Sequence, residues 1–192
     1  MSFTGAEHYD RVWAEVDLDA ALYNMERMHQ NLKPGTKMAA VIKTDGYGHG
    51  ALRIAEKLEP LDYLWGYAVA TYEEACELRD GGMKKPILIL GYVFPYCYEG
   101  LAQKEIRPAC FREDMLEELS LAAGKAGKRI KVHIAVDTAM ARIGIRPDDS
   151  GLSFVKKALE IEGIEVEGIF THFSKADETA PENTFRQIRE FT

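Results

Sequence analysis

The 192-residue sequence predicts an α/β fold, the N-terminal part of a (β/α)8 TIM-type barrel with about six βα units present. Three observations carry this. Apolar strand-like runs alternate with amphipathic helical ones, the pattern of a protein with a parallel sheet. Most of the strand-like runs are apolar on both faces, as buried parallel strands must be. They begin at residues 38, 63, 86, 106, 130 and 166, giving spacings of 25, 23, 20, 24 and 36, close to the module size of a barrel of roughly 250 residues. A doubly wound open sheet fits the same periodicity, and the barrel is the preferred reading.

In chain order, "RVWAEVDL" (11–18) alternates like a short separate strand ahead of the barrel, and "DAALYNMERMHQNL" (19–32) has helical apolar spacing at Leu22, Met25, Met28 and Leu32. The barrel strands are expected at "MAAVIK" (38–43), "YLWGYAV" (63–69), "PILIL" (86–90), "IRPAC" (106–110), "IKVHIAVD" (130–137) and "VEGIFTH" (166–172). Helices are expected in "GALRIAEKLE" from Gly50, "TYEEACELRDGG" from Thr71, "DMLEELSLAAGKAG" from Asp114, "LSFVKKALEI" from Leu152 and the closing "ENTFRQIREFT". Thr71 and Asp114 are read as N-caps and Gly81 as a C-cap. No linker, low-complexity segment or long repeat divides the chain, so residues 1–192 are taken as one barrel portion.

The composition, 46% hydrophobic and 29% charged, is that of a soluble globular protein. A net charge of -7 and the lack of a Lys/Arg-rich run argue against nucleic-acid or anionic-membrane partners, leaving a small molecule as the expected one. Cys76, Cys97 and Cys110 show no C-x-x-C or metal-like spacing, so reduced thiols and no metal are expected. The opening "MSFTGAEHYDR" lacks the apolar core of a signal peptide and no run approaches membrane-spanning length, which makes the expected location cytoplasmic.

In either architecture ligands gather at the carboxyl ends of the strands. Lys43 closes the first strand, Asp137 and Arg142 follow the fifth, and His172 closes the sixth. Lys43 shares a face with Ala39 and Val41, and Asp137 shares one with Ala135, His133 and Lys131, a set better suited to a wet barrel interior than to packing against helices. A lysine held in a partly desolvated site is what a Schiff base to an aldehyde cofactor requires. The glycine-bearing turn of "VIKTDGYGHG" (41–50) lets a phosphate approach backbone N–H groups, and the Tyr47 phenol adds a donor. Taken singly, each residue also has a plain structural reading, a snorkelling lysine and a packed tyrosine among them. His133 is read as a satisfied interior histidine, His49 as a hydrogen-bonding partner of its turn, Lys175 and Asp177 as loop and helix-start residues with Asp177 a cap, and Tyr92, Phe94, Tyr96 and Tyr98 as core packing.

Three ordered stretches, "AVIKTDGYGHG", "VDTAMARIGI" (136–145) and "GIFTHFSKADE" (168–178), resemble motifs of the alanine racemase family, and "RVWAEVDLDA" fits its N-terminal region. The family is a fold-type III group dependent on pyridoxal 5'-phosphate. The resemblance implies that Lys43 is the Schiff-base lysine and one of two catalytic bases, that Tyr47 contacts the cofactor phosphate, that Arg142 lies near the cofactor's phenolic oxygen and the substrate carboxylate, and that His172 packs against the pyridine ring. It implies an isomerase interconverting L- and D-alanine by two-base Cα proton transfer and supplying D-alanine for peptidoglycan, working as a cytoplasmic homodimer. The second base is expected to be a tyrosine from a C-terminal β domain of the other subunit, which this chain lacks, so the 192 residues alone are expected to be inactive. A serine racemase domain, a barrel decarboxylase and a non-catalytic cofactor-carrying barrel remain alternatives. Two departures stand out: Ala135 occupies the place of a lysine that family members often carry as a carbamate orienting the arginine, and Ala139 and Ala141 replace glycines flanking Met140. The second matters only where those positions need positive φ.

Overall fold

The computed structural model describes residues 11–177, 179 and 181–192. Six strands, β1 (Met38–Val41), β2 (Leu64–Val69), β3 (Ile87–Ile89), β4 (Ile106–Cys110), β5 (Ile130–Val136) and β6 (Ile164–Thr171), pair side by side in sequence order, each parallel to the next. That order decides the architecture. A doubly wound sheet reverses direction at a switch point, whereas an uninterrupted succession describes the arc of a barrel, with β1 and β6 as its two edges.

Helices Ala51–Leu58, Tyr72–Asp80, Tyr98–Lys104, Glu113–Ala126 and Asp149–Glu160 make the crossovers, with Leu18–Gln30 ahead of β1 and Glu182–Phe191 after β6. Tyr67, Val69, Ile87, Ile89, Val132 and Ile134 on the strands and Ala55, Leu101, Leu116 and Leu119 on the helices are fully buried in one continuous cluster. Each large apolar side chain taken out of water contributes about 1.5–3 kcal/mol, so this layer is the main force curving the helices onto the sheet. On the opposite face of β1, Ala39 and Val41 remain exposed.

Caps follow the sequence in part. Thr71 Oγ1 accepts the Glu74 N–H at 3.3 Å, and Gly81 is the C-cap of that helix. The Asp114 cap is corrected: Arg112 is the N-cap of Glu113–Ala126, without a side-chain cap bond, and Asp114 sits in the first turn pairing with Arg112, where a carboxylate also suits the positive end of the helix. Nor does Asp177 cap a helix, since the last one starts after Pro181. Residues 13–17 form no strand, and Asp17 instead caps Leu18–Gln30 by accepting from Asp19 N and Ala20 N at 2.9 and 3.0 Å. Alternation alone makes no strand without a neighbour to pair with, and no described strand lies beside 11–18. The signal-peptide reading rests largely on residues 1–10, outside the described residues.

Two irregularities in register build a polar layer inside the arc. Between β1 and β2 the pairing jumps from Met38↔Leu64 to Ala39↔Gly66, and the extra residue, Trp65, sets its ring 5.2 Å from that of His133. Between β5 and β6 it jumps from Val132↔Val166 to His133↔Gly168, and the extra residue is Glu167. Its carboxylate accepts from Arg107 Nε (3.0 Å), Arg107 Nη2 (3.2 Å) and Lys131 Nζ (3.0 Å), with His133 Nε2 at 3.2 Å. Burial alone would raise the Glu167 pKa, but these partners bring it down to about 2. His133 is thus the satisfied interior histidine expected. The aromatic reading is corrected for three of four residues: Tyr98 is buried, but Tyr92, Phe94 and Tyr96 are exposed, Tyr92 meeting Phe94 edge to face and Phe94 stacking on Tyr96.

Candidate active site

The turn after β1 explains how a lysine comes to stand just beyond the end of an apolar strand. Thr44, Asp45, Gly46 and Tyr47 all lie in the left-handed region, with φ of 55°, 51°, 61° and 57°. For a non-glycine residue that conformation costs roughly 1–2 kcal/mol, so Thr44, Asp45 and Tyr47 persist in it only where their surroundings hold them. Asp45 Oδ1 accepts Ala51 N at 2.8 Å, His49 Nδ1 lies 2.9 Å from Gly46 O, and the two oxygens of Glu74 accept Thr44 N and Ala70 N, each at 2.7 Å. Position 46 favours glycine, because at φ 61° a Cβ would be strained and would crowd Ile54 Cδ1 at 3.0 Å and Ala51 N at 3.2 Å. The tight reversal brings Lys43 and Tyr47 together, with Nζ 5.9 Å from the ring centroid.

At the end of β5 the chain leaves and returns within eight residues: Asp137 N donates to Ile145 O and Ile145 N to Ala135 O, both at 2.9 Å. Asp137 turns back on this loop, its Oδ1 accepting Ala139 N at 3.0 Å and Ala141 N at 2.9 Å. Ala139 and Ala141 do have positive φ, 119° and 55°, so the two alanines stand where glycine would be unstrained. Gly144, φ 124°, is different: a Cβ there would lie 2.5 Å from Asp137 N.

A chain of hydroxyls and one amide ties this loop to the end of β6. Gln187, fully buried, donates from Nε2 to Thr138 Oγ1 (3.0 Å) and His172 O (3.2 Å), and its Oε1 accepts Ser174 N (3.0 Å) and Ser174 Oγ (3.1 Å). Thr171 Oγ1 spends its proton on Val136 O at 2.9 Å, so Thr138 is the donor in the 2.7 Å contact between the two threonines.

Lys43, Tyr47, Arg142 and His172 all line one cavity of about 440 Å³ at the carboxyl ends of the strands. Its size is within the range of small-molecule sites. Burial, then the nearby cations Arg142 and Lys43, hold the His172 pKa below its ordinary value, keeping the imidazole neutral at pH 7. Among the described residues no carboxylate pairs with Arg142, and the buried Ala135 offers it nothing polar. Asp137, His49 and His133 stay out of the cavity. Glu74, Thr138 and Gln187 were not anticipated. The Thr71-x-x-Glu74 capping pattern was a usable signal for the first, whereas nothing in the sequence marks a lone glutamine on an amphipathic helix as buried. The three cysteines are free, no group of metal-ligating side chains occurs among the described residues, and no described helix is long and apolar enough to cross a membrane.

An unbroken arc of parallel strands with cationic and aromatic side chains gathered at their carboxyl ends defines the ligand-binding part of a parallel α/β barrel. The chain belongs to the alanine racemase family: residues 16–192 match the family described as alanine racemase, N-terminal domain. It is 43% identical over 181 residues to the alanine racemase of Clostridium perfringens strain SM101, covering 94% of this chain and 46% of that protein. Against the alanine racemase of Desulfovibrio desulfuricans the identity is 39%, covering 96% and 49%. The structure of Clostridium difficile 630 alanine racemase in complex with cycloserine superposes with a TM-score of 0.91 at 33% identity, covering 95% of this chain and 50% of that one. The chain therefore spans about half the length of the relatives it matches.

Proposed function

We propose that this chain supplies one half of the active site of a pyridoxal-phosphate-dependent alanine racemase, and that Lys43 holds the cofactor. The observation that carries the reading is the meeting of Lys43, Tyr47, Arg142 and His172, from three separate strand ends, in one cavity. The donor set fits the group. Lys43 brings an amine, Tyr47 a phenol, His172 a neutral flat ring and Arg142 a cation unmatched by any described carboxylate. Bound there, pyridoxal phosphate supplies an aldehyde that condenses with an amine, releasing water, and a conjugated ring that draws off electrons when a Cα–H bond breaks.

The residues of this chain then have distinct tasks. Lys43 Nζ would hold the cofactor and, as a free amine, would take or return the Cα proton on its own side. Tyr47, on the same turn, would donate to the cofactor's phosphate, and His172 would offer its ring an uncharged neighbour. Arg142 pairs with an anionic group, the substrate carboxylate being the natural one. Inversion needs a second acid/base on the opposite face, and Lys43 and Tyr47 issue from a single turn. We place that group outside residues 1–192, on the partner subunit of a homodimer. The names of the relatives support alanine as substrate, and we read the D-alanine so formed as destined for peptidoglycan. A cytoplasmic site of action accords with three free cysteines.

The test compares residues 1–192 with the complete encoded chain, each given pyridoxal phosphate and L-alanine in deuterated water. The complete chain should form D-alanine, and Lys43→Ala should abolish both D-alanine and the visible absorbance of the loaded protein. The 192 residues should form none. D-alanine from them at a comparable rate would put both bases inside this chain, and an undiminished Lys43→Ala protein would end the reading.

A further inference from the structure

We infer that Glu74 is a positioning residue for Lys43, a role that rests on the reading of Lys43 given above. Thr71 and Glu74 have the spacing of a capping box, in which the glutamate carboxylate normally returns to the N–H of the capping residue. Half of the box is present: Thr71 Oγ1 accepts Glu74 N at 3.3 Å. The carboxylate goes elsewhere. One oxygen accepts Ala70 N at the end of β2, and the other crosses to the neighbouring βα unit and accepts Thr44 N, both at 2.7 Å. Ala70 and Lys43 both line the cavity, and Thr44 directly follows Lys43.

Thr44 is the first of the four left-handed residues. Its N–H belongs to the peptide plane that also carries the Lys43 Cα and carbonyl, so fixing that N–H anchors Lys43 Cα and narrows the directions its Cα–Cβ bond can take. Of the other bonds described for this turn, Asp45 with Ala51, Gly46 with His49 and Gly50 N with Asp45 O lie within the segment 45–51 and would move with it, while Gly46 N to Ile42 O at 2.9 Å ties it only to the chain just before Lys43. Glu74 ties the turn to β2 instead. An anionic oxygen held 2.7 Å from each of two backbone N–H groups makes a pair of charge-assisted bonds, strong enough to hold a strained turn in place.

The test uses the complete encoded chain with Glu74→Ala, Glu74→Gln and Lys43→Ala, each well below its melting temperature. Without cofactor, the Thr44 and Ala70 amides of Glu74→Ala should exchange with deuterium faster by on the order of tenfold or more, with core amides such as Ile87 unchanged. On adding pyridoxal phosphate, loading of Lys43 followed by visible absorbance should slow by on the order of tenfold. Glu74→Gln keeps one acceptor oxygen and should fall between; it carries the same comparison if Glu74→Ala does not fold. Unchanged exchange at Thr44 would overturn the clamp. Faster exchange with loading at the wild-type rate would make Glu74 a strut of the fold and not a positioning residue. A Lys43→Ala protein that loads normally would remove the reading of Lys43 and the positioning role with it, and the exchange result would still report the clamp separately.

Discussion

The turn after β1 and the loop after β5 meet one requirement, the presentation of a long cationic side chain to a shared cavity, and both use left-handed backbone to do it. They differ in what holds that backbone. In the β1 turn the residues at positive φ are anchored by carboxylates from two directions, Asp45 within the segment and Glu74 from the next βα unit. In the β5 loop the non-glycine residues at positive φ are alanines with no polar side-chain atoms, and a single oxygen of Asp137 accepts both of their N–H groups. The first site is over-determined and the second depends on a few contacts, so the arginine loop is the softer part of the cavity.

The largest effect is expected where the soft loop has no slack. Gly144→Ala puts a Cβ 2.5 Å from Asp137 N at φ 124° and should destabilise the protein by about 3 kcal/mol or more, read by urea unfolding. Near-wild-type stability would show that the loop can shift, and would sharpen the contrast with the β1 turn. Gln187→Ala should cost about 2 kcal/mol, because Thr138, Ser174 and the His172 carbonyl lose a buried partner together. It should also speed amide exchange at Ser174 without affecting Thr44; equal loosening of both regions would break the division between them.

Smaller effects concern charge and strain. Burial and the nearby cations lower the His172 pKa, so protonation is harder in the folded state, and its contribution to stability is present above the unfolded pKa and lost as pH falls below it. In Arg142→Gln the His172 midpoint, followed by NMR, should move up towards its ordinary value but not reach it, since burial remains the first cause. An unmoved midpoint would separate the arginine from the histidine. The smallest change is Ala139→Gly, which relieves positive-φ strain but adds freedom to the unfolded chain, for a net gain below about 1 kcal/mol. A clear loss of stability would show that the alanine methyl packs usefully in the loop.

The four cavity residues could be collected from the sequence because strand ends are locally marked: an apolar run that stops at Lys43 or His172 announces where the chain reaches the open end of the sheet. The groups that hold them were not legible. Glu74 reads as half of a capping box, and its reach to Thr44 spans 30 residues. Gln187 is separated from Thr138 by 49 residues, a distance over which no periodicity carries information. The strand read at 11–18 failed for a related reason, since alternation marks a chain able to pair and does not supply the partner.

By itself the sequence determined the succession of six strands, four of their five crossover helices (Tyr98–Lys104 being the one it did not mark), and the placing of Lys43, Tyr47, Arg142 and His172 at strand ends, because these follow from local patterns of polarity and turn-forming residues. Tertiary structure alone decided that the strands run in unbroken order and not from a switch point, that Ala139 and Ala141 take positive φ, and that one carboxylate and one amide lock the two lips of the cavity. The physical reason is that local propensity fixes which groups must find partners, while the choice among distant partners depends on loop closure and packing over the whole chain.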